Sequence, residues 1–237
     1  MKNIVTIGGD GIGPEVVGVT KEVLQTLFPD TFAFTDISAG YDHFLETGET
    51  ISEADLQLCR EADAVLYGAN TNPAGDSKYS SLTLTLRQEL GLYANVRPAK
   101  SLPGIGRYEN VDLVVVRENS EGMYIREEER IPHGWVAKRR ITEGGCERIL
   151  TYAFELALTL RKSRVTLVHK ANVLRHTCGL FRKIGFELAA EYPDLTVDER
   201  FVDAMAMELV MRPEEFQVIV TTNLFGDILS DEASGLV

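Results

Sequence analysis

The sequence predicts an α/β fold from two observations. Strand-like apolar runs alternate with longer helix-like stretches throughout the chain. The longest apolar runs, such as VDLVVV at 111–116, are also strand-sized. With 237 residues, of which 44% are hydrophobic, the chain can bury the core of one large domain or two modest ones. In chain order, strands are expected over 3–8, 32–39, 64–68, 111–117, 165–169, 196–202 and 218–222. Helices are expected over 14–27, 52–61, 82–90, 142–162 and 177–191. Between Met123 and Ile141 the rhythm breaks into a polar segment with alternating apolar positions and His133-Gly134 near its middle, which reads as a projecting hairpin. An isolated two-stranded ribbon is marginal in water, so the economical reading is a homodimer in which two such arms pair; an ordinary surface loop is the alternative.

Composition narrows the function. A net charge of −12 opposes binding to nucleic acid or an anionic membrane surface and leaves a small, locally captured ligand as the expected partner. If that ligand is an anion, arginines must gather against the field of the whole chain. No run approaches the roughly 20 apolar residues of a membrane span. The opening MKNIVTIGGD lacks the apolar core and cleavage site of a signal peptide. Cys59, Cys146 and Cys178 are odd in number and far apart, which suits free thiols in a reducing compartment. A cytoplasmic location is the expectation.

Several segments carry polar residues where α/β proteins place their sites. The first strand runs into Gly8-Gly9-Asp10-Gly11-Ile12-Gly13-Pro14-Glu15, a glycine-rich turn with Pro14 in the first turn of the following helix. Pro14 stands where a Rossmann fingerprint would have its third glycine, so that fingerprint is absent and a tight βα turn suffices. Ser80 and Ser81 sit near a helix start, with Thr83 and Arg87 beyond them and Arg97 further on, a supply of hydroxyls and guanidiniums suited to carboxylates. Taken singly, Ser80 or Ser81 is more often just an N-cap and Arg87 an exposed helix charge. Arg117 and Lys170 both follow apolar strands, at the strand ends where α/β sites collect. A lysine there is either a solvated end or, with a lowered pKa, a base. Asp203 lies among apolar residues and calls for a partner or a metal. Asp227 and Asp231 stand four apart on one face of an expected helix. That face is either solvated or holds a cation of the Mg²⁺ or Mn²⁺ kind.

Together, GGDGIGPEV, LRQELGLYANVRPAKS, VRENSEGMY, HKANVL, VDAMAMELV and NLFGDILSDEAS resemble, in order and spacing, the β-decarboxylating family of isocitrate, homoisocitrate and isopropylmalate dehydrogenases. The resemblance runs from Ile4 to the last residue. It implies a doubly wound isopropylmalate dehydrogenase-like fold: a large cofactor-side domain over 1–99, and a smaller α/β domain over 100–237 that bears substrate, metal and the dimerisation arm. It also implies oxidation and decarboxylation of a malate-type 2-hydroxy acid, with NAD or NADP and Mg²⁺ or Mn²⁺. Carried over by position, Arg87, Arg97 and Arg117 would clamp the substrate carboxylates while Ser81 and Thr83 help choose its distal group. Asp203, Asp227 and Asp231 would surround the metal. Tyr124 and Lys170 would be the acid and the base, with Ile12 and Asn172 near the cofactor. The resemblance further implies that Lys170 and Asp203 reach the neighbouring subunit's site, so that active sites are shared in a homodimer.

The substrate would be a hydroxy-dicarboxylate or tricarboxylate. Isopropylmalate enzymes usually present two leucines before the first clamp arginine, where this chain has Thr83-Leu84; isocitrate enzymes usually have Ser-x-Asn, where it has Ser81-Leu82-Thr83. Hydroxyls can bind a distal carboxylate, and YANVRPAKS and HKANVL look most like homoisocitrate dehydrogenases, so homoisocitrate or isocitrate ranks above 3-isopropylmalate. The sequence ends in a helix-like stretch without a cap. The family's His-Gly-Ser-Ala-Pro-Asp loop, which holds the adenosine half of the cofactor, is not present, so the large domain is expected to be incomplete; the choice between NAD and NADP is normally made in that region, and NAD is expected only from the relatives the sequence most resembles. Two other readings compete. A shortened, non-catalytic regulatory paralogue would not need to keep this constellation, and a metal-dependent hydrolase leaves the three arginines unexplained.

Overall fold

The computed structural model describes residues 1–73 and 78–237. These form two compact units, Met1–Gly91 and Leu92–Val237.

In the first unit, strand β1 (Lys2–Ile7) lies between β2 (Phe32–Ile37) and β3 (Ala64–Tyr67), parallel to both. Helices α1 (Gly13–Leu27), α2 (Tyr41–Thr47), α3 (Glu53–Glu61) and α4 (Leu82–Glu89) complete it. Its core gathers Val5 and Ile7 of β1 with Leu56 and Cys59 of α3 and Leu82 and Leu86 of α4. Spacings of three and four place each helix pair on one face. Helix α3 starts where Ser52 accepts the Asp55 N–H at 3.1 Å. The turn after β1 needs its glycines: Gly9 has φ +74°, and a Cβ there would meet the Ala69 carbonyl oxygen at 1.9 Å. Buried Asp10 ties the same turn to its surroundings by accepting the N–H groups of Tyr41 (3.1 Å), Asp42 (2.9 Å) and Thr71 (2.6 Å).

The second unit is a sheet in the order β4 (Ala94–Lys100), β5 (Asp112–Glu118), β10 (Val218–Thr221), β8 (Arg164–His169), β9 (Thr196–Phe201). All pairings are parallel except β4 with β5. Successive strand side chains point to opposite faces, and both faces are covered. Val114, Val116, Val165, Leu167, Val218 and Val220 pack with α5 (Glu143–Thr159) and α6 (Thr177–Ala189). Leu113, Val115, Val168 and Ile219 pack with α7 (Val202–Met211) and α8 (Asn223–Leu236). This is the doubly wound arrangement, helices on both faces of a mostly parallel sheet. The expected hairpin is also present, as β6 (Glu128–Ile131) and β7 (Gly134–Ala137), with His133 in the turn at φ +64°. Among the described residues no other strand pairs with this ribbon, and Trp135 is 66% exposed on it.

Three features depart from the sequence reading. Strand β4 was not expected, because Pro98 interrupts its pattern; it survives as an antiparallel edge strand, where a missing N–H is tolerated. Since β4 belongs to the second sheet, the units divide at Gly91, ahead of it, rather than near Ala99. Helices α2 and α7 were also missed. The first has no buried residue to set a periodic pattern, and the second starts at Val202 directly after the last residue of β9, with no turn residue between them to mark its start.

Candidate active site

The predicted residues fall into three groups, each described within its own unit. In Met1–Gly91, Ser81 is the N-cap of α4 without a side-chain capping bond, and Thr83 and Arg87 follow on one helix face. The Thr83 hydroxyl donates to Asn70 Oδ1 at 3.1 Å and lies 3.0 Å from the Tyr67 hydroxyl. Ile12, the N-cap of α1, is exposed.

In Leu92–Val237 the sheet brings two arginines together. Asn95 pairs with Arg117 across β4 and β5, so Arg97, two residues on, shares the sheet face of Arg117. On that face lies α8, whose Asn223, Asp227, Ser230 and Asp231 recur at helical spacing. Arg97 Nη1 donates to Ser230 Oγ (2.8 Å) and to Asp231 Oδ1 (2.6 Å), and its Nη2 is 4.0 Å from Asp227 Oδ1. Arg117 is only 2% exposed. Its Nε and Nη2 donate to Asn223 Oδ1 (3.0 and 2.7 Å) and its Nη1 to Asp227. The Tyr124 hydroxyl donates to the other oxygen of Asp227, and its ring lies 5.0 Å from the Arg117 guanidinium. The Asp227 carboxylate beside it raises the Tyr124 pKa above the ordinary value of 10.0, assisted by burial and opposed by Arg117.

The third group is Lys170 and Asp203, joined by an ion pair between the end of β8 and the start of α7. Lys170 Nζ also lies 5.6 Å from the centre of the Phe201 ring. That ion pair pulls the Asp203 pKa below its usual 3.8. Asn172 follows on the exposed loop after Lys170. Among the described residues no three metal-ligating side chains collect in one place, so Asp203, Asp227 and Asp231 do not assemble within one chain.

The repulsion expected between Asp227 and Asp231 is relieved by Arg97 and Arg117. The two carboxylates still form an oxygen donor set of the hard kind that suits Mg²⁺ or Mn²⁺, and Asp231 is 77% exposed on its side chain.

Asn223 escaped the sequence reading although it lies in one of the segments singled out. It is 1% exposed, accepts two Arg117 donors and gives its own Nδ2–H to the Glu121 carbonyl at 2.9 Å. The signal available was its four-residue spacing from Asp227 on a helix whose polar face had already been identified.

The family model of isocitrate/isopropylmalate dehydrogenases matches residues 3–237. The chain belongs to the isocitrate/isopropylmalate dehydrogenase family. It is 46% identical to a protein of Methanothermobacter thermautotrophicus named 3-isopropylmalate dehydrogenase, over 99% of this chain and 70% of that one. It is 41% identical to a homoisocitrate dehydrogenase of Methanocaldococcus jannaschii, over 100% of this chain and 71% of the relative. The crystal structure of isocitrate dehydrogenase from Methylococcus capsulatus superposes with a TM-score of 0.92 at 45% identity, covering 100% of this chain and 71% of that one. The family's enzymes are decarboxylating dehydrogenases, oxidoreductases acting on small hydroxy acids. Among the described residues no helix is long and apolar enough to cross a membrane.

Proposed function

We propose that this chain oxidises and decarboxylates a malate-type 2-hydroxy acid with NAD, homoisocitrate or isocitrate being preferred to 3-isopropylmalate and NADP being the alternative acceptor. The observation that carries the reading is the convergence of Arg97, Arg117, Tyr124, Asp227 and Asp231 on the α8 side of one sheet. Arg87, Arg97 and Arg117 are the residues proposed to bind the substrate carboxylates as guanidinium forks. Lys170 of the partner subunit, once its ion pair with Asp203 is broken and its extra proton released, would accept the 2-hydroxyl proton as the neutral amine, and a bound nicotinamide would supply the hydride acceptor. Decarboxylation of the resulting β-keto acid leaves an enolate, and Tyr124, kept protonated beside Asp227, gives carbon 3 its proton. Asp227 and Asp231, with Asp203 of the partner subunit, would hold Mg²⁺ or Mn²⁺, which supplies Lewis-acid stabilisation of the developing oxyanion. Ile12 and Asn172 would contact the nicotinamide cofactor.

A homodimer with shared active sites belongs to this reading: among the described residues no other strand pairs with the exposed β6–β7 ribbon, and a second copy would supply that pairing. A cytoplasmic location agrees with three buried, unpaired cysteines. The Thr83 hydroxyl favours a substrate with a polar distal group. The Methanothermobacter relative's name and half-buried Leu84 favour 3-isopropylmalate as the second reading.

The test is NAD(P)H formation by the purified chain with Mg²⁺ or Mn²⁺ against isocitrate, homoisocitrate, 3-isopropylmalate and D-malate, alongside its intact mass. Higher kcat/KM for homoisocitrate or isocitrate is expected. Preference for 3-isopropylmalate would replace the substrate assignment, and absence of turnover with all four would overturn the reaction itself.

A further inference from the structure

His169 closes β8 immediately before Lys170 and is 1% exposed. The Ala171 N–H donates to its Nδ1 at 3.2 Å, so the ring spans the turn that carries Lys170. With Nδ1 an acceptor, the neutral ring bears its proton on Nε2, which lies 2.9 Å from Glu199 Oε2. Glu199 is itself gripped by both ends of the Arg182 guanidinium, through Nε to Oε2 (2.5 Å) and Nη2 to Oε1 (2.9 Å). Phe201 packs edge-on against the imidazole and also lies beneath the Lys170 ammonium. Three elements, α6, β9 and β8, thus converge on one imidazole whose remaining nitrogen faces the Lys170 turn.

We infer that His169 is a positioning residue: the chain Arg182–Glu199–His169 fixes the tautomer whose Nδ1 accepts the Ala171 N–H, and so sets where Lys170 stands. Burial pushes the His169 pKa below its ordinary 6.5, against the pull of Glu199, which keeps the ring in its accepting form. A protonated ring would turn an N–H toward the Ala171 N–H and open the turn. The inference rests on the proposed role of Lys170 as base. Its structural content, a turn held by one acceptor atom, stands apart from that role.

Two substitutions separate the two ring nitrogens. His169→Asn keeps an acceptor near the Nδ1 position and drops the bond to Glu199. His169→Gln reaches Glu199 and drops the acceptor for Ala171. His169→Leu removes both. The first readout is amine-directed labelling of the full chain, with the rate at Lys170 followed by peptide mass spectrometry and exposed Lys2 and Lys183 as internal references. Loss of one hydrogen bond of ordinary net worth corresponds to about fivefold. The Lys170 rate should therefore shift about that much in H169Q and H169L, and stay within about twofold of the parent in H169N. In turnover, kcat should fall by a similar factor in H169Q and H169L while the KM for the hydroxy acid holds, with H169N recovering most of the loss. Equal behaviour of H169N and H169Q, or a parent-like Lys170 rate in H169L, would overturn the inference. Should H169L fail to fold, the Asn and Gln pair still decides it. A chain without turnover would count against the proposed reaction, and the labelling ratio would still decide the role of His169.

Discussion

Replacing Asn223 by Ala tests whether α8 is fixed to the sheet through Arg117. The substitution removes two hydrogen bonds donated by a guanidinium and one donated to the Glu121 carbonyl. Both partners are deeply buried, at 2% and 1% exposure, so water does not replace the lost acceptor without opening the structure. Hydrogen bonds to a charged group are worth about 1.5–3 kcal/mol each, and an abandoned buried donor adds its own desolvation cost. The Asp227 carboxylate stays in place on Arg117 Nη1 and limits the damage. The expected loss is roughly 3–5 kcal/mol, comparable to breaking a buried ion pair. In a protein of this size that lowers Tm by roughly 10 °C. Asn223→Asp keeps the acceptor for Arg117 but loses the donor to Glu121, so it should lose less than half as much. Urea unfolding of the parent and both variants measures these differences. A loss below about 1 kcal/mol for Asn223→Ala with an unchanged m-value would refute the claim that Asn223 anchors Arg117.

Three further outcomes are expected. Asp227→Asn removes the carboxylate that disfavours phenolate at Tyr124, so the Tyr124 pKa should fall toward its ordinary value, read by ultraviolet difference titration with Tyr124→Phe as the reference. The Cys146 thiol is pushed up to about 12, chiefly by burial, so it should resist disulfide-exchange reagents at neutral pH and react only once the protein is denatured. Trp135→Asp places a charge on the exposed ribbon and should shift sedimentation from dimer to monomer; an unchanged dimer would place the interface elsewhere.

Much of the fold was legible because its driving forces are local. The β5 run from Leu113 to Val116 is apolar at every position, as a strand covered on both faces must be, and α5 carries Ile149, Leu150, Ala153, Phe154 and Ala157 on one stripe. What stayed hidden is set by tertiary contact. Strand β4 exists because β5 offers it an edge. Helix α2 begins where Asp10, about thirty residues earlier, accepts two of its first N–H groups.

The site shows the same division. Arg97, Arg117, Asp227 and Asp231 could be named from residue type and position, but their mutual pairing could not, since Arg97 and Asp231 are far apart in the chain and meet only through the β4–β5 register. That pairing answers how a chain of net charge −12 keeps arginines together: each guanidinium stands against a carboxylate of α8. It also has an energetic consequence for the proposed reaction. An anionic substrate that takes Arg97 and Arg117 must loosen their ion pairs with Asp231 and Asp227, leaving two carboxylates at helical spacing without their counter-charges. A divalent cation on those aspartates removes that repulsion, so substrate and metal should each strengthen the binding of the other, by reciprocal linkage. The partly exposed Arg97–Asp231 pair contributes little to be overcome, whereas Arg117 is buried and already satisfied by Asn223. Arg97 is therefore the guanidinium that exchanges partners at low cost, and Arg117 the one whose place is fixed before the substrate arrives.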